Sequence, residues 1–315
     1  MIENRPLVVL TGPTAVGKTN LSILLAKKIS GEIISADSMQ VYRGMDIGSA
    51  KIMPEEMQGI RHHLIDILEP DEEFNVVSFQ KRCKDAIEEI YRRGNIPILA
   101  GGTGFYIQAV LKDVDFAAND EDTTYRKQLE DMAKEKGALH LHEMLMAVDE
   151  KAAEEIHANN VKRVIRALEF YHQTGKKISE HNEEESEKQW AYNACYFVLN
   201  DERSKIYERI DKRVDIMLEN GLIDEVQALT NKGYTRDLVS MQGLGYKEII
   251  AYLDGEISLD EAIYILKRDT RHFAKRQLTW FKREKEVIWL DKSSYSEDEL
   301  LAYMCERMKE KGIIG

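Results

Sequence analysis

The sequence predicts an α/β protein in which helices flank a parallel β-sheet and an all-helical domain is inserted into the chain. Short apolar runs rich in β-branched residues alternate with stretches of helical periodicity, which is the pattern of βαβ units. This alternation stops near residue 115 and resumes near residue 190. A glycine-rich loop joins the first apolar run to the first helical stretch, so the sheet also carries a candidate ligand site.

Six apolar runs have the length and composition of strands. They occupy residues 7–12, 32–37, 62–67, 96–102, 193–200 and 287–291. Helical patterns fill the gaps between them, and residues 78–93 place Cys83, Ala86, Ile87 and Ile90 on one face at 3.6-residue spacing. Because helices separate successive strands, we expect the strands to be parallel and their carboxyl ends to lie at one edge.

The middle of the chain is predicted to be helical throughout, over residues 118–189. Its acidic final segment, residues 180–189, is expected to be an exposed loop. Long helices are then predicted over 204–232 and 258–283. We therefore expect a discontinuous core of residues 1–115 plus 190–315, and a helical insertion of residues 116–189.

The composition is that of an ordinary globular protein, with 315 residues, enough for about two domains. No apolar run approaches the roughly 20 residues of a membrane span, and the N-terminus lacks a signal-peptide pattern. Three widely spaced cysteines exclude a disulfide framework and a CxxC zinc site. These features predict a cytoplasmic protein with no membrane partner.

The net charge of −12 argues against a nucleic-acid partner, but the basic residues are unevenly distributed. Residues 267–285 carry eight Lys and Arg against two acidic residues, a local net charge of +6. This separation of sign matters more than the total, so RNA stays a candidate ligand.

The strongest motif is G-x-x-x-x-G-K-[ST], which lies between a predicted strand and a predicted helix. It comprises Gly12, Pro13, Thr14, Ala15, Val16, Gly17, Lys18 and Thr19. In such a loop the backbone amides and the helix N-terminus attract phosphate oxygens. Lys18 is expected to reach the terminal phosphates, and the Thr19 hydroxyl to ligate Mg²⁺. The motif predicts a P-loop NTPase-like core that binds a di- or triphosphate.

Two further loops are predicted to reach the same edge of the sheet. Asp37 comes just after the second strand, placed to act as a general base or metal-side carboxylate, or to cap a turn. Thr103 lies among three glycines after the fourth strand, where its hydroxyl is available to a phosphate. No Asp ends that strand as in a Walker B motif. Asp66 is the nearest substitute, and we interpret it as structural.

Basic residues form two helical faces. Lys162, Arg163 and Arg166 share one face, and Arg268, Arg271, His272, Lys275 and Arg276 recur at helical spacing among Phe273, Trp280 and Phe281. Basic side chains interleaved with aromatic ones suit RNA, although a solvated helix face is the alternative. The spacing of Arg209 and Arg213 does not decide between ion pairs within the protein and an anionic ligand.

Seven segments follow one another in the order of a known family: GPTAVGKT, SADSMQVYRGMDIGSAK, HHLID, AGGTGFYIQAV, KRVIRALE, MQGLGYKE and TRHFAKRQLTWF. From residue 7 to about 291 the chain closely resembles the bacterial tRNA dimethylallyltransferase family, also called tRNA isopentenyltransferases. The long SADS-to-SAK segment is far more specific than the P-loop.

The resemblance implies transfer of a dimethylallyl group from dimethylallyl diphosphate to the exocyclic amine of the adenosine 3′ of the tRNA anticodon. It implies that residues 12–19 hold the diphosphate, that Asp37 is the general base, and that Thr103 contacts the diphosphate and the reacting region. Arg213 and Lys18 are expected to stabilise the leaving group together with Mg²⁺.

The resemblance also implies that the helical insertion grips the anticodon stem-loop, and we expect a monomer. The expected tRNA contacts, together with three residues of the second basic face, are Asp37, Ser38, Met39, Gln40, Thr103, Arg126, Lys162, Arg163, Val164, Ile165, Arg166, Arg271, Lys275 and Arg276. Two alternatives share the P-loop: a nucleoside or small-molecule kinase, and a non-catalytic RNA-binding ATPase. Neither requires the SADS-to-SAK segment.

Overall fold

The computed structural model describes residues 5–116 and 124–315. The chain divides into two compact units, one of residues up to Leu111 together with Trp190–Gly315, the other of Lys112–Gln189. The first boundary between the units therefore lies between residues 111 and 112, whereas the sequence predicted it between 115 and 116. The second boundary lies between residues 189 and 190. Residues 118–123 of the predicted helical stretch lie outside the described residues.

In the part of the chain that the structure describes, six parallel strands form one sheet. They are β1 (Pro6–Thr11), β2 (Gly31–Ala36), β3 (His62–His63), β4 (Ile96–Gly101), β5 (Asn193–Asn200) and β6 (Ile288–Asp291), arranged β3-β2-β4-β1-β5-β6. Gly101 pairs with Thr11 on one side and with Ala36 on the other. The carboxyl ends of β1, β2 and β4 are therefore level, and the loops that follow them meet.

The third strand is much shorter than the predicted 62–67. Pairing with β2 ends at His63, because Leu64 and Asp66 adopt left-handed backbone conformations with φ of 62° and 53°. The Asp66 carboxylate lies 2.5 Å from the buried Lys51 ammonium. Asp66 is thus a structural ion-pair partner, as interpreted from the sequence.

The helices, numbered along the chain, cover both faces of the sheet. Those of the first unit are α1 (Lys18–Ile29), α2 (Val76–Arg92), α3 (Gly104–Leu111), α9 (Arg203–Glu219), α10 (Leu222–Asn231), α11 (Tyr246–Leu253), α12 (Leu259–Phe281) and α13 (Glu297–Glu310). Alternate residues of β1 point to opposite faces: Val8 and Leu10 pack with α1 and α13, whereas Leu7 and Val9 pack with α2 and α3.

The predicted continuous helix over 204–232 is wrong: α9 and α10 are separate helices. The break lies at Asn220 and Gly221, where Gly221 has φ of 94°. Left-handed backbone costs a glycine little, so the chain turns there instead of extending α9. Residues 258–283, by contrast, form the single helix α12 as predicted.

The second unit consists, within its described residues, of five helices around a core of its own. They are α4 (Thr124–Lys136), α5 (Ala138–Val148), α6 (Glu150–Glu155), α7 (Val161–Thr174) and α8 (Ile178–Glu187). Leu129, Leu145 and Val164 are fully buried in that core. The loop expected at 180–189 is wrong, because most of it belongs to α8. Lys177–Glu180 and Lys188–Glu185 ion pairs, three residues apart, offset the acidity of this segment.

Nowhere in residues 5–116 and 124–315 is a helix both long enough and apolar enough to cross a lipid bilayer.

Candidate active site

The P-loop has the backbone conformation that phosphate binding requires. It runs from the end of β1 to the start of α1, with φ of 146° at Gly12 and 100° at Gly17. A Cβ at Gly12 would lie 2.3 Å from the carbonyl oxygen of Leu199, so no other residue fits there. Strand, loop and helix therefore occur in the predicted order, and the loop lies at the N-terminus of α1, where a phosphate is favoured.

A cavity of about 320 Å³ opens at this edge of the sheet. Both P-loop and SADS residues line it, and so do residues from α9 and α12. The polar lining comprises Thr14, Lys18, Thr19, Asn20, Ser22, Ser35, Asp37, Gln40, Ser49, His62, Arg213 and Gln277, and the apolar side chains of the lining are Ala15, Ile33, Ala50, Ile52, Ile65, Ala100 and Phe273. One cavity thus offers cationic groups, one carboxylate and an apolar wall.

Lys18 folds back onto its own loop. Its ammonium donates hydrogen bonds to the carbonyl oxygens of Gly12, at 2.9 Å, and Pro13, at 2.8 Å. Burial and, to a lesser extent, the neighbouring Arg213 lower the pKa of Lys18 to about 7, although Asp37 opposes the shift. A bound anion would favour the protonated amine, so this group is poised to gain a proton with its ligand.

Asp37 lies just beyond β2, as predicted, and lines the cavity. One of its carboxylate oxygens accepts a 2.8 Å hydrogen bond from the Met39 amide, which makes it a turn-capping residue as well. Burial raises the pKa of Asp37, an effect that the Met39 amide and the charges of Lys18 and Arg213 oppose. A carboxylate that burial makes more basic is suited to accept a proton.

The structure distinguishes the two arginines that spacing alone could not separate. Arg213 lines the cavity, and its guanidinium approaches the Thr14 hydroxyl at 3.4 Å. Burial lowers the pKa of Arg213, although a guanidinium keeps its charge at any physiological pH. Arg209 instead binds the Ala15 carbonyl at 2.9 Å and the Asp201 carboxylate at 2.7 Å, which makes it a structural support of the P-loop.

The GGTG loop is joined directly to the SADS strand. The Thr103 amide donates a 3.2 Å hydrogen bond to the carbonyl of Ala36, the residue before Asp37. A Cβ at Gly101 would lie 2.2 Å from the same carbonyl, so glycine is required for the two strand ends to approach. Thr103 and Asp37 are thereby held at neighbouring strand ends, although Thr103 is not among the residues that line the cavity.

Sequence reasoning missed Gln277, which lines the cavity from α12. Its side chain accepts a hydrogen bond from the Thr14 amide at 2.8 Å and donates one to the Gly102 carbonyl at 3.0 Å. A signal was present: Gln277 lies on the buried face of α12 between Ala274 and Phe281. A polar residue on an apolar helix face needs hydrogen-bond partners, and here both partners are active-site loops.

The remaining SADS residues play different parts. Met39 packs against Gly243, whose missing Cβ leaves room for the Met39 methyl group. Gln40 accepts from the Ser35 hydroxyl at 3.2 Å and donates to the Ala50 carbonyl at 3.3 Å. Ser38 is partly exposed. These contacts fix the backbone beside Asp37.

The predicted tRNA contacts on α7 fall into two groups. Lys162 and Arg163 are exposed, whereas Val164 and Ile165 belong to the hydrophobic core of the second unit, so their side chains are not available to a ligand. Burial lowers the pKa of Arg166. Arg126 makes a bidentate ion pair with the buried carboxylate of Glu169, at 2.9 and 3.0 Å.

On α12, Arg271 forms an ion pair with Asp211 at 2.5 Å. The exposed Lys275 and Arg276 line a shallow groove of about 530 Å³ together with His272, Thr279, Trp280 and Arg283. This groove combines cationic side chains with an indole. Among the described residues, no group of three or more His, Cys, Asp or Glu side chains is arranged to hold a metal ion.

The chain is similar to known proteins over most of its length. The family model described as IPP transferase matches residues 40–284. A "tRNA dimethylallyltransferase" of Lachnoclostridium phytofermentans is 63% identical over 311 residues, which cover 98% of this chain and 99% of that protein.

Two solved structures extend the similarity to the fold. The tRNA isopentenylpyrophosphate transferase of Bacillus halodurans is 46% identical with a TM-score of 0.74, over 98% of both chains. A eukaryotic dimethylallyltransferase, described as acting on tRNA, is 31% identical with a TM-score of 0.84, over 98% of this chain and 80% of that one.

Proposed function

This chain belongs to the IPP transferase family and is a prenyltransferase of tRNA, and we propose that its P-loop cavity transfers a dimethylallyl group to the exocyclic amine of the adenosine 3′ of the anticodon. One observation carries this assignment: Lys18, Asp37 and Arg213 line a single cavity together with an apolar wall. Cations suit a diphosphate, the carboxylate suits proton removal, and the wall suits a five-carbon group.

The leaving group is stabilised from several directions. As the allylic C–O bond breaks, negative charge grows on the diphosphate and positive charge on carbon. The Lys18 ammonium, the Arg213 guanidinium and the P-loop amides face the growing negative charge. Such preorganised donors are the largest contribution in many enzymes. The Thr14 amide is not among them, because Gln277 already accepts its hydrogen bond.

Asp37 completes the transfer on the acceptor side. The adenine amine is a weak nucleophile because its lone pair is delocalised into the ring. As the new C–N bond forms, the amine loses a proton, and the Asp37 carboxylate accepts it. The backbone amides of Met39 and Gln40 hold that carboxylate in place.

Mg²⁺ fits this site as an ion shared with the diphosphate. The donor that the chain supplies is the Thr19 hydroxyl, at the start of α1 and on the cavity wall. A hydroxyl and phosphate oxygens are the hard ligands that Mg²⁺ takes, usually with several waters retained. When bound, the ion would neutralise charge on the leaving group.

The adenosine acceptor must leave its stack to reach Asp37, which costs least in a single-stranded loop. The exposed cations Lys162 and Arg163 on α7, and Lys275 and Arg276 on α12, are the side chains best suited to the tRNA phosphates. The chain acts in the cytoplasm, as a monomer; its three cysteines are free thiols, which supports a reducing compartment.

A two-label assay tests the assignment. Unmodified tRNA, Mg²⁺ and dimethylallyl diphosphate labelled in the prenyl group are incubated with the protein, in parallel with γ-labelled ATP. We expect prenyl label to enter tRNA without phosphate transfer. ATP turnover without prenyl incorporation would instead assign the P-loop to a kinase or an RNA-binding ATPase.

A further inference from the structure

Two active-site loops are joined by one side chain. The Gln277 amide group accepts from the P-loop at Thr14, at 2.8 Å, and donates to the GGTG loop at Gly102, at 3.0 Å. Gln277 is 6% exposed, and its hydrogen bond to Gly102 is buried, so that bond is shielded from competing water.

The GGTG loop packs tightly against Gln277 and its neighbour Trp280. A Cβ at Gly102 would lie 2.2 Å from the Gln277 amide nitrogen, and one at Gly104 would lie 2.2 Å from the Trp280 ring. Gln277 and Trp280 are three residues apart on α12, so they lie on one side of the helix. Helix α12 therefore braces the GGTG loop at two glycines while its Gln277 also holds the P-loop.

We propose that Gln277 is a positioning residue that sets the spacing between the diphosphate-binding loop and the Thr103 loop. This inference rests on the proposed function, in which the first loop holds the donor and the second adjoins the acceptor side at Asp37. In-line transfer needs donor carbon and acceptor nitrogen at a defined distance, and small misplacements slow such reactions strongly. Gln277 touches neither reacting group in this scheme and acts through the two loops.

The test uses the full-length protein and four variants. Gln277→Leu removes both hydrogen bonds at nearly constant volume. Gly102→Ala leaves Gln277 in place but displaces its amide nitrogen. The double variant combines the two changes, and Gln227→Leu is the matched control, since the exposed Gln227 side chain hydrogen-bonds to Thr230 and Asn231 of its own helix.

Three quantities distinguish a positioning role of Gln277 from a role in stability alone. They are kcat, the KM for dimethylallyl diphosphate, and the Kd of inorganic pyrophosphate. For Gln277→Leu we expect kcat to fall at least tenfold, and both the KM and the pyrophosphate Kd to rise several-fold, while the Kd of tRNA changes less than twofold. Gly102→Ala should behave alike. The double variant should lose little more than either single one, because both changes break the same connection.

Two results would overturn the inference. One is unchanged kcat and KM in Gln277→Leu. The other is a drop in kcat that only follows the folded fraction, with KM and pyrophosphate Kd as in the Gln227→Leu control. Absence of prenyl transfer by the unmodified protein would instead refute the proposed function, and the pyrophosphate measurements would still decide whether Gln277 positions the P-loop.

Discussion

The phenol of Tyr246 donates a 2.8 Å hydrogen bond to the carboxylate of Glu225. That carboxylate also accepts from the consecutive amides of Asp46, Ile47 and Gly48, at 2.9, 2.7 and 3.0 Å. Two side chains from α10 and α11 thus hold the loop that continues into Ser49 and Ala50, which line the cavity. The DIGSA and LGYKE segments of the sequence, about 200 residues apart, form one structural unit.

Removing the Tyr246 hydroxyl should lower the stability of the fold and leave the rate of prenyl transfer unchanged. For Tyr246→Phe we expect a loss of roughly 1.5–3 kcal/mol of unfolding free energy, as for a hydrogen bond to a charged group. Glu225→Ala should cost more, because it leaves the loop amides without their acceptor. Chemical denaturation measures both, and Tyr303→Phe on exposed Tyr303 is the control. Equal stabilities for Tyr246→Phe and the control would contradict this account.

Replacing the proposed base should stop the reaction without releasing the tRNA. In Asp37→Asn the side chain keeps its shape and can still accept the Met39 amide, but it no longer takes a proton near neutral pH. We expect prenyl transfer to fall by about 10²–10⁴-fold, the usual contribution of a general base. Single-turnover rates and tRNA Kd are the measurements. Asp237→Asn, at an exposed position, should leave both unchanged. An undiminished rate in Asp37→Asn would refute the assignment of the base.

Diphosphate binding should be coupled to proton uptake. The Lys18 pKa of about 7 in the free protein rises when a polyanion binds, because the ligand favours the charged amine. This contribution to affinity is therefore constant below pH 7 and declines as the pH rises above 7, toward the higher pKa of the complex. Calorimetry of pyrophosphate binding in buffers of different ionisation enthalpy measures the proton directly. Lys18→Arg, which stays charged, should show no uptake from this group.

The free energy of unfolding of the first unit should decrease at acidic pH, because Glu32 becomes protonated. Burial raises the pKa of this carboxyl, but hydrogen bonds from Arg93, His63 and Asn95 outweigh burial and lower the pKa to about 2. A depressed pKa stabilises the folded state above the unfolded value of 4.5, and this stabilisation of roughly 3 kcal/mol is lost as the pH falls from 4.5 toward 2.

The difference in unfolding free energy between the protein and Glu32→Gln should accordingly shrink over that pH range. The matched control is Glu256→Gln, which breaks a surface ion pair with Arg236 and should show a much weaker pH dependence. A pH-independent difference for Glu32→Gln would show that the charge of Glu32 does not stabilise the fold.

The exposed cations of α7 should contribute affinity for tRNA rather than rate. For the double variant Lys162→Gln with Arg163→Gln we expect a higher Kd for tRNA. The slope of log K against log salt concentration should fall in magnitude by about 1 for each lost phosphate contact. The single-turnover rate at saturating tRNA should change little. The control pair, Lys134→Gln with Lys136→Gln, removes two charges from α4 of the same unit. Equal losses in both double variants would indicate a general charge effect and not a contact on α7.

Features that depend on residues near one another in the sequence were predictable from the sequence alone. The spacing of apolar residues distinguished strands from helices, and the pattern of glycines located the P-loop. Because parallel strands end at one edge, that topology also placed Asp37 and the GGTG loop beside the phosphate site. The family resemblance then supplied roles for these residues.

Tertiary structure alone decided which of several similar side chains reaches the cavity. Arg213 enters it and Arg209 does not, although both lie on α9. Gln277 joins two loops that are 175 and 263 residues away from it, and Glu225 gathers amides about 180 residues away. Local propensity carries no information about such partners, since they become neighbours only when the chain has folded.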